Sequence, residues 1–158
     1  MQHWRDFMHR LDRFWNRLNA HFKKSPKWEG WSAPYKQVVR SDPLLRYLSQ
    51  SRDADHHTIE SDVIEVVGGT LTVGEGGHVH LQHVAKDTWQ VSSTTPHRIE
   101  FDPSKLQLRP AVSRGVTYAV PTQHLGNPID TSNVGQLAAL ALNYYGNLLS
   151  AAEESLCK

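Results

Sequence analysis

The sequence predicts an α+β protein, a bundle of N- and C-terminal helices with a small antiparallel β-sheet inserted between them. The spacing of apolar residues changes twice along the 158 residues, and these two changes support the prediction. Apolar residues recur every three or four positions near both ends, as in amphipathic helices, and at every second position in the middle, as in strands. We therefore expect one domain, helical over residues 1–57 and 130–156, with a β-rich insert over residues 58–120.

The first predicted helix covers residues 4–22. Its apolar side chains follow helical spacing, with arginines between them: Trp4, Phe7, Met8, Leu11, Phe14, Trp15, Leu18 and Phe22. Because large aromatic residues at this period usually pack a bundle, we interpret the stripe as core. Residues 23–34 have no such period and contain prolines and a glycine, so we expect a loop that lays Trp28 and Trp31 over the bundle.

Two helix starts follow, one at Ser32-Ala33-Pro34 and one at Ser41-Asp42-Pro43. Each combines a residue able to cap a helix with a proline suited to the first turn. The helical segment should therefore be broken near residue 42. Its second part should end at about Asp53 or Asp55.

Short alternating runs with paired turn residues begin at about residue 58. The turn pairs are Gly68-Gly69, Gly76-Gly77, Thr95-Pro96, Asp102-Pro103 and Arg114-Gly115. This arrangement predicts several antiparallel strands joined by hairpins. A loop then leads to the last helix, which Asp130 or Thr131 is expected to cap.

The charge of the chain is unevenly distributed. Residues 1–52 contain eleven Lys and Arg against four Asp and Glu, a net +7, whereas residues 53–158 contain six against twelve, a net −6. A basic segment attracts polyanions if its charges share one face, although a solvated helix surface gives the same count.

Several classes of protein are made improbable by composition. No apolar run approaches the roughly 20 residues of a membrane span, and Arg5 and Asp6 interrupt the apolar stretch that a secretory signal needs. We expect a cytoplasmic protein without a membrane partner. The single cysteine, Cys157, cannot form an intrachain disulfide and is poorly placed to act as a nucleophile.

The densest group of reactive side chains lies at the predicted helix end before the strands. It includes Arg52, Asp53 and His57, with three residues between the aspartate and the histidine. A guanidinium binds a phosphoryl group through a bidentate fork, and an imidazole titrates near neutral pH. The group therefore suits proton transfer beside a phosphodiester.

This order of Arg, polar residue, three-residue spacer and His resembles the signature of the HEPN superfamily, small helical proteins of which many are ribonucleases of toxin–antitoxin and antiviral systems. The resemblance covers residues 4–57 and at most 130–156 in addition. It implies an endoribonuclease that uses neither metal nor cofactor. In that reaction His57 would move a proton to or from the ribose 2′-hydroxyl, Arg52 would stabilise the charge on the phosphate, and Asp53 would orient the arginine. It also implies a homodimer, with RNA as substrate.

Other cations of the helical segment would complete such a cleft, and we predict Lys36, Arg40 and Arg46 as substrate-binding residues. An alternative remains open. Arg52 can instead pair with nearby carboxylates at the surface, and the chain would then be a non-catalytic protein-interaction or ligand-binding domain.

Three further histidines have weaker patterns. His78 and His80 share one face of a predicted strand, and the pair is similar to the first metal motif of cupin barrels. No acidic ligand follows at the expected spacing, so we predict no metal site and two solvent-side histidines, with Val79 and Leu81 facing the core. His124 lies in the predicted loop before the last helix and has no predicted role.

Overall fold

A computed structural model of the chain describes residues 2–55, 63–85 and 88–157. Within these ranges it contains four helices, three before the strands and one after them, so the predicted α+β class is confirmed. The helices are α1 (Gln2–Phe22), α2 (Trp28–Ser41), α3 (Pro43–Asp55) and α4 (Val134–Leu156).

Ten short strands are described between α3 and α4. They are β1 (Val63–Val66), β2 (Gly69–Val73), β3 (Val79–Ala85), β4 (Thr88–Ser93), β5 (His97–Phe101), β6 (Lys105–Leu108), β7 (Ala111–Ser113), β8 (Val116–Tyr118), β9 (Gln123–His124) and β10 (Asn127–Pro128). They pair as five two-stranded sheets. The pairs β2 with β5, β3 with β4, β7 with β8 and β9 with β10 are antiparallel. The hairpins β3–β4 and β7–β8 confirm the prediction of antiparallel strands joined by hairpins, whereas β9 and β10 form a hairpin where a loop was predicted.

The chain divides into two compact units. The first, which we call the helical unit, contains residues 1–65 and 106–158, and the second, the strand unit, contains residues 66–105. The predicted β-rich insert is therefore divided, because β2 to β5 lie in the strand unit whereas β7 and β8 belong to the helical unit.

The core of the helical unit consists of two apolar clusters. One joins α1, α3 and α4 to the strands β1, β6 and β7, and its buried members include Trp4, Met8, Leu44, Leu45, Tyr47, Leu137 and Ala141. The other joins α1, α2 and α4 through Leu18, Phe22, Trp28, Leu148 and Ala152. The apolar stripe predicted on the first helix is thus core.

The loop predicted over residues 23–34 is wrong in its second part, because α2 already begins at Trp28 and contains Pro34. Trp28 is fully buried, and its Nε1 donates a hydrogen bond to Oδ1 of Asn19 at 2.9 Å. Its ring also stacks on that of Trp31, with centroids 5.5 Å apart. This tertiary packing outweighs the local tendency of proline to end a helix. The tryptophans do cover the bundle, but from a helix.

The break predicted near residue 42 is confirmed, since α2 ends at Ser41 and α3 begins at Pro43. Asp42 lies between them and caps α3. Its Oδ1 accepts a hydrogen bond from the backbone N–H of Leu45 at 2.9 Å, which satisfies a donor that the first turn leaves unpaired.

The cap predicted for the last helix is wrong, because Asn133 occupies that position instead of Asp130 or Thr131. Its Oδ1 accepts from the backbone N–H of Gln136 at 3.0 Å. The carboxylate of Asp130 is engaged earlier in the chain, where it accepts from the hydroxyl and the backbone N–H of Ser132 at 2.7 and 2.9 Å. These two bonds hold the pKa of Asp130 below its ordinary value.

No described residue of the strand unit is buried. His78 and His80 are exposed, as predicted, but Val79 and Leu81 are exposed as well, so their assignment to the core is wrong. A two-stranded hairpin has no second layer against which to bury one face. Larger apolar side chains also face solvent, and Phe101 is 76% exposed.

Candidate functional site

Arg52, the predicted phosphate-binding residue, lies in the last turn of α3 and is held by two carboxylates. One terminal nitrogen contacts Oδ1 of Asp12 on α1, and the other contacts Oδ1 of Asp53. The predicted proximity of Arg52 and Asp53 is therefore present. The second partner, Asp12, was not anticipated, and together the two acids offset the positive charge of the guanidinium.

The described residues around Arg52 enclose a crevice of about 70 Å³. Ligand pockets usually have volumes of roughly 300 to 1,000 Å³, so this crevice is too small for a nucleotide. His57, the predicted proton-transfer residue, lies outside the described residues. The catalytic pairing of His57 with Arg52 stays a prediction.

The three cations predicted to bind substrate are separated on α2 and α3. Lys36 forms an ion pair with Glu29, its Nζ 3.1 Å from Oε2. Arg46 lies over the ring of Tyr118, 5.1 Å from its centroid, and Arg40 is exposed in the last turn of α2. None of these cations lines the crevice beside Arg52 or the three larger cavities, of about 730, 510 and 380 Å³, among the described residues.

The largest of the four cavities, about 730 Å³, lies along the seam between α1 and α4. We call it the arginine groove. Its polar side chains on α1 are Arg10, Arg13, Arg17 and His21, all of which are exposed. Its apolar floor consists of Phe14, Leu18 and Phe22 from α1 and Leu149 from α4. A second cavity of about 510 Å³ also includes Arg10 and Phe14 and extends towards the start of α1.

The three arginines of the groove are available to a ligand. Their spacing of three and four residues places them on one side of α1. Within the described part of the chain, no carboxylate lies within ion-pair distance of Arg10, Arg13 or Arg17. Glu153 on α4 lines the same groove and is its one described acid. The groove thus combines an excess of positive charge with an aromatic floor.

A buried pair of titratable side chains lies elsewhere in the helical unit, where β9 meets the junction of α2 and α3. Nδ1 of His124 is 3.0 Å from Oδ1 of Asp42, and the two side chains are 7% and 4% exposed. Oδ2 of Asp42 accepts from the backbone N–H of Leu125 at 2.6 Å. Because a carboxylate only accepts hydrogen bonds, the imidazole proton on Nδ1 faces Asp42.

The hairpin that presents His124 has a constrained backbone. Its two-residue turn, Leu125-Gly126, has φ angles of 49° and 80°. Both central residues of a type I′ turn require positive φ, and a leucine in this region costs on the order of 1 to 2 kcal/mol. The bond from the Leu125 N–H to Asp42 stabilises this conformation and thereby fixes the position of His124.

A cavity of about 380 Å³ opens beside this pair, and we call it the His124 cavity. Polar side chains dominate its lining: His124, Asn127, Asp130, Gln136, Asn143, Tyr144 and Asn147. The rings of His124 and Tyr144 meet edge to face, with centroids 6.3 Å apart. Burial, with smaller contributions from nearby Tyr145 and Asp42, raises the pKa of Tyr144 to about 12. The Tyr144 phenol is therefore protonated at neutral pH, and its hydroxyl donates to the backbone carbonyl of Tyr35 at 3.4 Å.

The sequence indicated a helix cap or a surface contact with Arg52 for Asp42, and no role for His124. The two residues are 82 positions apart, so no local spacing connects them. The available signal was the Leu-Gly pair after His124, since a glycine in a two-residue turn predicts a hairpin that would fix the preceding residue. The arginines of the groove were visible only as polar residues between the core positions of the first helix.

Comparison with known proteins gave no relative of this chain: no family model, no curated protein and no solved structure matches it. In the described ranges, no three His, Cys, Asp or Glu side chains are grouped so that they could bind a metal ion. None of the described helices has both the length and the apolar character needed to cross a membrane.

Proposed function

We propose that this is an RNA-binding protein that holds a single strand in the arginine groove. The observation that supports the proposal is the row of Arg10, Arg13 and Arg17, which have no acidic partner among the described residues and border an aromatic floor. Phosphate contacts from arginine supply most of the affinity for nucleic acid, and aromatic rings provide stacking surfaces for bases.

The dimensions of the groove suit an extended strand better than a compact anion. Arg10 and Arg17 are seven residues apart, which corresponds to about 10 Å along a helix. Successive phosphates of one strand can therefore contact successive arginines, while a base enters the groove towards Phe14. RNA as a partner agrees with the cytoplasmic location expected from the sequence.

Cleavage of RNA is a separate hypothesis that depends on Arg52, Asp53 and His57. The contacts of Arg52 with Asp12 and Asp53 weigh against it, because a neutralised guanidinium stabilises a phosphate poorly. The direct test is metal-free cleavage of RNA by the wild type, Arg52→Ala and His57→Ala. Cleavage that both substitutions abolish would establish the activity. Equal cleavage by all three proteins would show that Arg52 and His57 do not catalyse it.

Binding is best tested by fluorescence anisotropy with a labelled oligouridine of about twelve nucleotides. We expect the double variant Arg13→Ala/Arg17→Ala to bind at least about tenfold more weakly than the wild type, since each lost charged contact costs roughly 1 kcal/mol or more. The matched control Arg98→Ala/Arg109→Ala removes the same charge from exposed positions outside the groove and should bind within about twofold of the wild type. Equal loss in both double variants would contradict a site in the groove.

A second candidate function is assembly with another protein, and the strand unit favours it. Trp89 and Phe101 are 61% and 76% exposed in a unit none of whose described residues is buried. Large exposed apolar side chains are typical of interaction surfaces, and two-stranded sheets have unpaired edges that can add further strands. A second copy of the chain presents complementary edges, so we propose a homodimer formed through the strand unit.

Size-exclusion chromatography with light scattering, on protein loaded at about 100 μM, measures the molar mass and tests this assembly. We expect a dimer for the wild type and a monomer for Trp89→Ser/Phe101→Ser. The control Leu142→Ser changes an exposed apolar residue on α4 and should remain dimeric. A monomeric wild type would rule out the proposed homodimer.

A further inference from the structure

The His124 cavity contains more hydrogen-bonding capacity than the fold itself uses. The bond between His124 and Asp42 occupies Nδ1, and Nε2 is the ring nitrogen that remains for a ligand. In the neutral ring this nitrogen is an acceptor. The buried carboxylate and the constrained hairpin hold the ring in place, so the acceptor is fixed before any ligand arrives.

The other polar groups of the cavity come from α4 and the segment before it. Gln136, Asn143 and Asn147 supply amides, which both donate and accept hydrogen bonds, and they are exposed on one side of the helix. Their spacing of seven and four residues keeps them on one helical face. These groups therefore converge on the space next to His124.

The charge of the lining selects against anions. No lysine or arginine lines this cavity, whereas Asp130 contributes a carboxylate whose lowered pKa keeps it ionised at neutral pH. A phosphate or carboxylate ligand would meet this negative charge without a compensating cation. This property separates the His124 cavity from the arginine groove, whose excess charge has the opposite sign.

The volume of about 380 Å³ lies within the range of pockets that enclose small organic ligands. From these features we infer that the His124 cavity binds an uncharged ligand with neighbouring hydroxyl groups, of the size of a nucleoside or a sugar. One hydroxyl donates to Nε2 of His124, and the amides of α4 bond to the other polar groups of the ligand. This inference does not depend on RNA binding in the groove.

Adenosine and glucose distinguish the two sources of such hydroxyl groups, and adenosine monophosphate tests the exclusion of charge. Each is titrated separately by calorimetry and by following the ¹⁵N resonances of the histidine rings. We expect one of the two neutral compounds to bind in the millimolar range or tighter and to shift the Nε2 resonance of His124. Adenosine monophosphate should bind at least about tenfold more weakly than the neutral compound that binds.

Substitutions of exposed amides test the location without disturbing the core. Asn143→Ala/Asn147→Ala should weaken binding of that compound at least about fivefold, whereas Gln37→Ala, an exposed amide on α2 outside the cavity, should leave it unchanged. The inference is overturned if neither neutral compound binds, if the phosphate binds as well as the neutral compound, or if both variants behave alike. Circular dichroism of each variant verifies that the fold is retained.

Discussion

At the scale of single residues, Asp42 has three structural tasks. It caps α3 through Leu45, binds the imidazole of His124 and holds the N–H of Leu125 in the strained turn. These bonds connect the junction of α2 and α3 to the hairpin of β9 and β10, two parts of the helical unit that are distant in sequence. A buried carboxylate of this kind is tolerated because its oxygens are satisfied.

Replacing Asp42 by alanine should therefore destabilise the protein strongly. We expect a loss of about 3 to 5 kcal/mol in the free energy of unfolding, because His124 and two backbone donors would lose their buried partner. Urea denaturation measures the change. Asp42→Asn, which keeps one acceptor oxygen, should lose less stability than Asp42→Ala. A urea midpoint for Asp42→Ala equal to that of the wild type would contradict this role.

Tyr145 makes stability depend on alkaline pH. Its pKa is raised to about 12, chiefly by burial and further by the negative charge of Asp12. In the unfolded chain the phenol ionises near pH 10, so its contribution is fully present below pH 10 and is lost as the pH rises towards 12. Over that interval one such group lowers the free energy of unfolding by up to about 1.4 kcal/mol per pH unit.

Chemical denaturation between pH 9 and about 11.5 tests this dependence. The Tyr145→Phe variant should have a shallower decline than the wild type, because it lacks the titrating phenol. Tyr144 has a similarly raised pKa and will sustain part of the decline in both proteins. Parallel curves for the two proteins would show that Tyr145 does not contribute.

At the scale of elements, α1 illustrates why much of the fold could be predicted. Its period placed Trp4 and Leu18 in the core correctly, since helical spacing is a local property. The start of α2 could not be predicted in this way, because it depends on the burial of Trp28 against distant residues. Most of the strands were predictable from turn residues. The pairing of β2 with β5 was not, because the β3–β4 hairpin separates these two strands in sequence.

Trp28 is expected to be essential for α2. Trp28→Ala should reduce the free energy of unfolding by about 3 to 5 kcal/mol, as is usual for large core aromatics. Trp31→Ala, at a partly exposed position of the same helix, should cost clearly less. Urea denaturation of both variants measures the difference, and equal losses would indicate that tertiary burial of Trp28 does not determine where α2 begins.

The candidate sites were less predictable than the elements because their residues come from separate elements. The contact of Arg52 with Asp53 was foreseeable from adjacency, whereas its contact with Asp12 required the packing of α1 on α3. The pair of Asp42 and His124 likewise depends on how β9 meets the helices. Each residue type was visible in the sequence, but its partner was not.

At the scale of the whole molecule, the uneven charge of the chain acquires a structural basis. Part of the positive charge of residues 1–52 lies along the arginine groove, where it faces the ligand that we propose. The remaining described cations of that segment include Lys36 and Arg52, which are engaged by carboxylates. The central claim is therefore that a few specific arginines, and not the overall charge, bind RNA.

The salt dependence of oligouridine affinity tests this claim most directly. For single strands, the slope of log affinity against log salt concentration is about −0.7 for each phosphate contact. If Arg13 and Arg17 each contact a phosphate, the slope for Arg13→Ala/Arg17→Ala should be shallower than that of the wild type by about 1.4, whereas Arg98→Ala/Arg109→Ala should retain the wild-type slope. Identical slopes for all three proteins, or no measurable binding by the wild type at low salt, would contradict the account.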